Sequence, residues 1–199
     1  VALALAEHDA DLGIANDGDA DRLALVTPDR GVLDENLVFA ATYEYLLAAD
    51  GGPAVRTVST TFLIDRIARA HGESTVETAV GFKWVAEAMA DHDALFGGEE
   101  SGGFSVRGHV REKDGVLMAL LAADATDAEP FDDRVDRLLA EHGHIAAGKV
   151  SIECPDDRKA GVLDALEDHI PEAVAGHPVA EVVTLDGFKL LLEDGSWLL

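Results

Sequence analysis

Asp17, Asp19 and Asp21 stand at alternate positions in Asn16-Asp17-Gly18-Asp19-Ala20-Asp21-Arg22, with small residues between them and an arginine directly after. Gly18 and Ala20 leave the backbone free to curl and aim three carboxylates at one point. Carboxylates so crowded repel one another unless a cation sits among them. Oxygen-only ligands suit a hard divalent ion, Mg²⁺ before Zn²⁺. The spacing also fits the first, third and fifth positions of an EF-hand, which next requires glycine and, at its twelfth position, glutamate. Arg22 and Pro28 occupy those places, so the EF-hand fails. A solvated acidic turn is the plain alternative.

Three other stretches carry usable chemistry. Gly97-Gly98-Glu99-Glu100-Ser101-Gly102-Gly103 sets two carboxylates and a hydroxyl among four glycines. In an extended loop Glu99 and Ser101 point the same way and suit the hydroxyls of a polyol; a flexible glycine turn with surface acids is the competing reading. Gly81-Phe82-Lys83-Trp84 opens a helix, placing Lys83 where the helix dipole favours the neutral amine. Such a lysine can move a proton or hold a phosphate, or be an ordinary surface lysine. His109-Val110-Arg111-Glu112-Lys113-Asp114-Gly115 gathers His109, Arg111 and Lys113 just before another helix, as phosphate partners or as members of a cap with local ion pairs. The other histidines show no metal-ligand spacing, and no Ser/His/Asp arrangement is present.

Asp17-Gly18-Asp19-Ala20-Asp21-Arg22 resembles the magnesium loop of the α-D-phosphohexomutases, the family of phosphoglucomutases and phosphomannomutases. Gly98–Gly103 resembles the family's Gly-Glu-x-Ser-Gly sugar loop. The Lys83 segment and the His109–Gly115 run resemble its glucose-directed branch, and all follow in the family's order. The resemblance implies an isomerase that moves a phosphoryl group between C1 and C6 of a hexose. The route runs through a phosphoserine and a hexose 1,6-bisphosphate, which also serves as primer.

By the same resemblance Asp17, Asp19 and Asp21 hold Mg²⁺ and Arg22 contacts the transferring phosphate or the phosphoserine. Lys83 acts as general acid/base, and Glu99 and Ser101 bind the sugar. His109, Arg111 and Lys113 meet substrate phosphate, and Thr60, in the hydroxyl-rich Ser59-Thr60-Thr61, touches substrate. Where some members carry a histidine just after the sugar loop, this chain has Gly103. The resemblance divides the chain into 1–34, the end of a second domain with the metal loop; 35–145, a sugar-binding α/β third domain; and 146–199, an incomplete α+β fourth domain for phosphate. The phosphoserine would belong to a first domain ahead of Val1. The fourth domain's Arg-x-Ser-Gly-Thr-Glu-Pro type run does not occur in the 199 residues. The fragment is therefore expected to be inactive alone, and the preferred hexose is left open. A non-catalytic acidic metal-binding domain and a metal-dependent sugar phosphatase are the alternatives.

The elements that must position these residues read as alternating strands and helices, hence α/β layers; that the sheet is mixed is what the resemblance implies. Strands are expected at 12–15, 22–27, 54–58, 75–78 and 94–96. Helices are expected at 36–49, capped by Asp34 and with Leu37, Ala41, Tyr45 and Ala48 on one face, and at 62–71, with Leu63, Ile64, Ile67 and Ala68 inward. Further helices fall at 82–90, 115–124 and 132–141, the last as a bridge between domains, and 97–111 reads as one long loop. Beyond it a strand at 149–153, a helix at 157–169 and strands at 182–185, 188–192 and 197–199 form an α+β unit, with Asp186-Gly187 and Asp194-Gly195 as hairpin turns.

Composition bounds the partners. With 39 acidic residues against 15 basic ones, net charge −24 and five lysines, charge-driven nucleic-acid binding is excluded. The surface suits a cytoplasm at high salt, as in a halophile. Cys154 is the single cysteine, so no internal disulfide forms, and it is expected as a buried thiol ending the 149–153 strand. No apolar run is long enough to span a membrane, and no signal peptide is visible.

Overall fold

Residues 1–199 are described by a computed structural model and fall into two units, 1–146 and 147–199. The first unit opens with α1 (Ala2–His8), followed by β1 (Gly13–Asn16), β2 (Leu23–Thr27) and β3 (Gly31–Val32). These strands form an antiparallel sheet in which Asn16 pairs with Leu23 and Gly13 with Val26. The six residues 17–22 thus close a hairpin, and the sheet holds the acidic loop at its end.

The chain continues as α2 (Glu35–Leu47), β4 (Ala54–Thr57), α3 (Leu63–Ala70), β5 (Thr75–Thr78), α4 (Phe82–Asp91), β6 (Phe96–Gly98), β7 (Phe104–Val106), α5 (Gly115–Ala128) and α6 (Phe131–His142). A mixed sheet runs in the order β5-β4-β6-β7, with β4 parallel to both β5 and β6 and β7 antiparallel to β6. The fold is therefore mixed α/β. Asp34 caps α2 by accepting from the Asn36 N–H at 2.8 Å. The four apolar residues expected inward on α3 are all buried.

Several expectations change. The stretch 97–111 is not one loop: Phe104–Val106 returns as a strand, because Phe104 is fully buried and its backbone pairs with Gly98. Helix α2 has no single apolar face. Val38 through Tyr43 are buried consecutively, since α3, α5 and α6 all pack on the helix, while Leu37 and Tyr45 are half-buried. Helix α6 packs into the first unit, with Phe131, Val135, Leu138 and Leu139 in the main core. At the centre of that core Phe39 meets Phe96 and Phe104 edge-on at ring-centroid distances of 5.2 and 5.5 Å.

The second unit contains α7 (Asp156–Asp168) and an antiparallel sheet of β8 (Ala173–Val174), β9 (His177–Val183), β10 (Lys189–Leu192) and β11 (Trp197–Leu198), in the order β11-β10-β9-β8. It is α+β. The expected strand at 149–153 is absent: Lys149 through Glu153 are exposed, with no neighbouring strand to bond. Cys154 is accordingly half-buried rather than sealed in a core. An additional hairpin turns at Ala175-Gly176, both with positive φ (50° and 89°), the geometry of a tight two-residue turn. No helix is long and apolar enough to cross a membrane.

Candidate active site

The acidic loop keeps its shape through backbone contacts. Ala20 takes a left-handed conformation (φ 58°) and its N–H bonds Asp17 O at 3.2 Å. The Asn16 side-chain amide donates to Arg22 O at 2.8 Å, and the Arg22 N–H donates to Asp17 Oδ1 at 3.2 Å. Gly115, the first residue of α5, donates its N–H to Ala20 O at 2.9 Å. A Cβ there would come within 2.4 Å of Arg22 O and 2.9 Å of Ala20 O. A glycine opens α5 because the helix abuts the acidic loop.

Asp17, Asp19 and Asp21 each bring one carboxylate oxygen within 4.8 Å of the others. The donor set is all oxygen and half-exposed or exposed, which fits Mg²⁺ and not a thiolate-seeking metal. These three residues would hold the ion. Arg22 leans over the loop, Nε lying 3.8 Å from Asp17 Oδ2 and 3.7 Å from Asp21 Oδ1. The nearest cation is a different one: Lys113 Nζ lies 2.5 Å from Asp21 Oδ2. That ammonium, against the opposing effect of burial, holds the Asp21 carboxyl below the usual carboxylate range, with Arg22 adding to it.

The glycine-rich loop joins the acidic loop edge to edge. Leu23 N–H bonds Gly102 O at 3.0 Å, and Arg22 forms an antiparallel bridge with Gly103. Within it, Glu99 N–H bonds Gly103 O at 3.0 Å and Gly102 N–H bonds Glu99 O at 3.2 Å, so the loop is a tight turn. This overturns the extended geometry that aligned Glu99 with Ser101. Glu99 is 7% exposed and its Oε1 accepts from the Gly81 N–H at 3.0 Å, while Ser101 is exposed at the tip. Through Glu99 the loop fixes the start of α4. There Lys83 is exposed, its ammonium 4.6 Å from the centroid of the Trp84 ring.

The basic run spreads its charges. His109 Nε2 sits 2.7 Å from Asp114 Oδ2, Lys113 goes to Asp21, and Arg111 stays exposed at the rim of a cavity of about 130 Å³ between α4 and residues 105–111. Asp114 caps α5, accepting from the Val116 and Leu117 N–H groups at 3.0 and 2.8 Å. Those bonds, the Leu117 one foremost, and His109 hold its carboxyl below the ordinary range. The structure brings Asp17, Asp19, Asp21, Arg22 and Lys113 together; Glu99 and Ser101 lie on the adjoining loop and Lys83 on the helix that Glu99 fixes.

Thr60 stands apart from the expected contact surface. It is fully buried, and its hydroxyl bonds Thr57 Oγ1 at 2.8 Å, so it secures the turn after β4. The half-exposed hydroxyl there is Ser59, which donates to Glu100 Oε2 at 2.6 Å. Thr57 donates to the same oxygen at 3.1 Å. Glu100 thus ties the glycine-rich loop to β4, a role nothing local in the sequence signalled. Gly115 did carry a signal, since a glycine beginning a helix gives up helix propensity and needs a reason.

With this geometry in view, comparison with known proteins is specific. The profile of phosphoglucomutase/phosphomannomutase, alpha/beta/alpha domain III, matches residues 34–142. The chain is 30% identical over 193 residues to a protein of Thermococcus kodakarensis named phosphoglucomutase/phosphomannomutase, covering 96% of this chain and 40% of that one. It is 39% identical over 123 residues to a phosphoglucosamine mutase of Nitratidesulfovibrio vulgaris, covering 60% of this chain and 27% of the relative. A crystal structure of a candidate phosphomannomutase from Thermus thermophilus superimposes with a TM-score of 0.76 at 30% identity, over 94% of this chain and 39% of that one. The fold and the loops define an α-D-phosphohexomutase-type α/β protein. The chain belongs to the phosphoglucomutase/phosphomannomutase family and spans about 40% of the length of relatives it matches over nearly all its own residues.

Proposed function

We propose that this chain supplies the metal and sugar half of a phosphohexomutase, an isomerase that interconverts hexose 1-phosphate and hexose 6-phosphate through a phosphoserine and a hexose 1,6-bisphosphate. One observation carries the reading: the acidic loop and the glycine-rich loop are hydrogen-bonded to each other, through Leu23 with Gly102 and Arg22 with Gly103. A cation site and a polyol-reading loop so joined suit a substrate with phosphate at one end and hydroxyls at the other.

Asp17, Asp19 and Asp21 hold Mg²⁺, which when bound neutralises charge on the phosphoryl group in transfer. Arg22, with its side chain half-exposed, is free to turn its guanidinium from the aspartates to a phosphate. Ser101 at the loop tip and the Glu99 carboxylate orient sugar hydroxyls. Lys83, exposed at the start of α4, can hold or pass a proton at the reacting hydroxyl. Arg111 and His109 are both exposed, so both can meet the non-transferring phosphate. The 199 residues contain no Arg-x-Ser-Gly-Thr-Glu-Pro type run, and alone they are expected to give no turnover.

The test is conversion of glucose, mannose and glucosamine 1-phosphates by a protein of the relatives' full length carrying these residues, with Mg²⁺ and a hexose bisphosphate primer. Asp19→Asn and Glu99→Ala variants that fold should each lose at least about a hundredfold in rate. A folded, Mg²⁺-binding protein that converts none of the three sugars would remove the mutase reading.

A further inference from the structure

Two cations reach the acidic loop, and they are not equivalent. Arg22 approaches at 3.7 to 3.8 Å with its side chain 52% exposed, whereas Lys113 Nζ lies 2.5 Å from Asp21 Oδ2 with its side chain 17% exposed. Lys113 reaches that point by laying its stem across the glycine-rich loop. A Cβ on Gly103 would lie 2.3 Å from Lys113 Cδ and 3.0 Å from its Cγ. The Phe82 ring covers the ammonium from another side, 5.9 Å from its centroid. The backbone behind it is fixed, since the next residue caps α5 and donates its N–H to Phe104 O at 3.2 Å.

We propose that Lys113 is the resident counter-ion of the metal loop, that Mg²⁺ binding displaces its ammonium from Asp21, and that metal occupancy is thereby coupled to the side chain lying across the glycine-rich loop. The proposal rests on the mutase reading for the identity of the ion. The physical argument is charge. Three carboxylates with one ammonium in contact are partly compensated. A dication that takes Asp21 as a ligand competes for the carboxylate the ammonium now contacts, and at that short range the two cations repel each other with little screening. The anchored backbone cannot withdraw, so the side chain swings, and its stem leaves Gly103. In the metal-free state the lysine keeps the acidic loop from repelling itself open.

Two measurements on the 199-residue chain test this. The first is Mg²⁺ titration calorimetry on the wild type, Lys113→Met, Lys113→Arg and Asp19→Asn. Removing the ammonium should tighten Mg²⁺ binding by about tenfold. The arginine variant should stay nearer the wild type, and Asp19→Asn should lose binding. The second is amine labelling read by mass spectrometry. Mg²⁺ should raise the reactivity of Lys113 several-fold and leave Lys83, Lys149 and Lys159 unchanged. Equal or weaker binding by a folded Lys113→Met variant, or Lys113 labelling that Mg²⁺ leaves unchanged or lowers, overturns the proposal. If that occurs while Asp19→Asn still abolishes binding, the counter-ion role alone is lost. If the wild type binds no Mg²⁺, the metal reading falls with it.

Discussion

Two groups of carboxylates in the first unit are built on opposite terms. Around β4, Arg56 is 4% exposed and donates to Asp65 at 2.7 and 2.9 Å and to Glu77 at 2.6 Å. Near α6, Arg134 and Arg137 together face Glu44 and Glu129. In both places arginine forks meet acids at hydrogen-bond distance. In the acidic loop three aspartates share one lysine in contact and one arginine nearly 4 Å away. The first kind of cluster is satisfied within the fold. The second is left short of positive charge at the surface.

The contrast makes Arg56→Met the most damaging change. It strands Asp65 and Glu77 beside a buried strand and should cost about 3–5 kcal/mol in urea unfolding, because a broken partly buried pair leaves uncompensated charge. A loss under about 1 kcal/mol would mean the acids are solvated and the contrast is false. Gly115→Ala comes next. Its Cβ meets backbone of the acidic loop, so something must shift, at about 1–3 kcal/mol, and Mg²⁺ affinity should fall with stability.

Asp114→Ala should cost about 1 kcal/mol as a lost helix cap. It also tests pH dependence. The folded carboxyls of Asp114 and Glu129 are held low, by the Leu117 N–H and by Arg137 respectively. Their unfolded counterparts titrate near about pH 4. Their stabilisation is therefore complete above that pH and is lost as pH falls through the lower folded values. The variant should flatten the acid limb of a stability–pH curve.

Smallest in stability is Asp19→Asn, expected to be neutral or to gain up to about 1 kcal/mol by relieving repulsion, while losing Mg²⁺. A destabilised Asp19→Asn would show that the loop is a structural network like that of Arg56. The whole surface offers a last test: with net charge −24, the melting temperature should rise with KCl, and a chain equally stable without salt would refute a high-salt habitat.

Much of the first unit was legible in the sequence because its signals are local. Asp34 and Asp114 announced helix starts, the α3 pattern announced its buried face, and the acidic and glycine-rich motifs marked the loops that meet at the site. The sequence by itself determined which family the chain resembles and which loops come together. Only the tertiary structure decided the partners of their side chains. Lys113, read with the phosphate-facing charges, turned to Asp21 because its stem crosses a side-chain-free Gly103. Thr60 sank into the turn after β4, and its hydroxyl was satisfied by Thr57. Residues 149–153, apolar enough for a strand, found no strand beside them and stayed unpaired. A motif states what a side chain can do, but hydrogen-bond and charge partners far apart in the chain are chosen by packing.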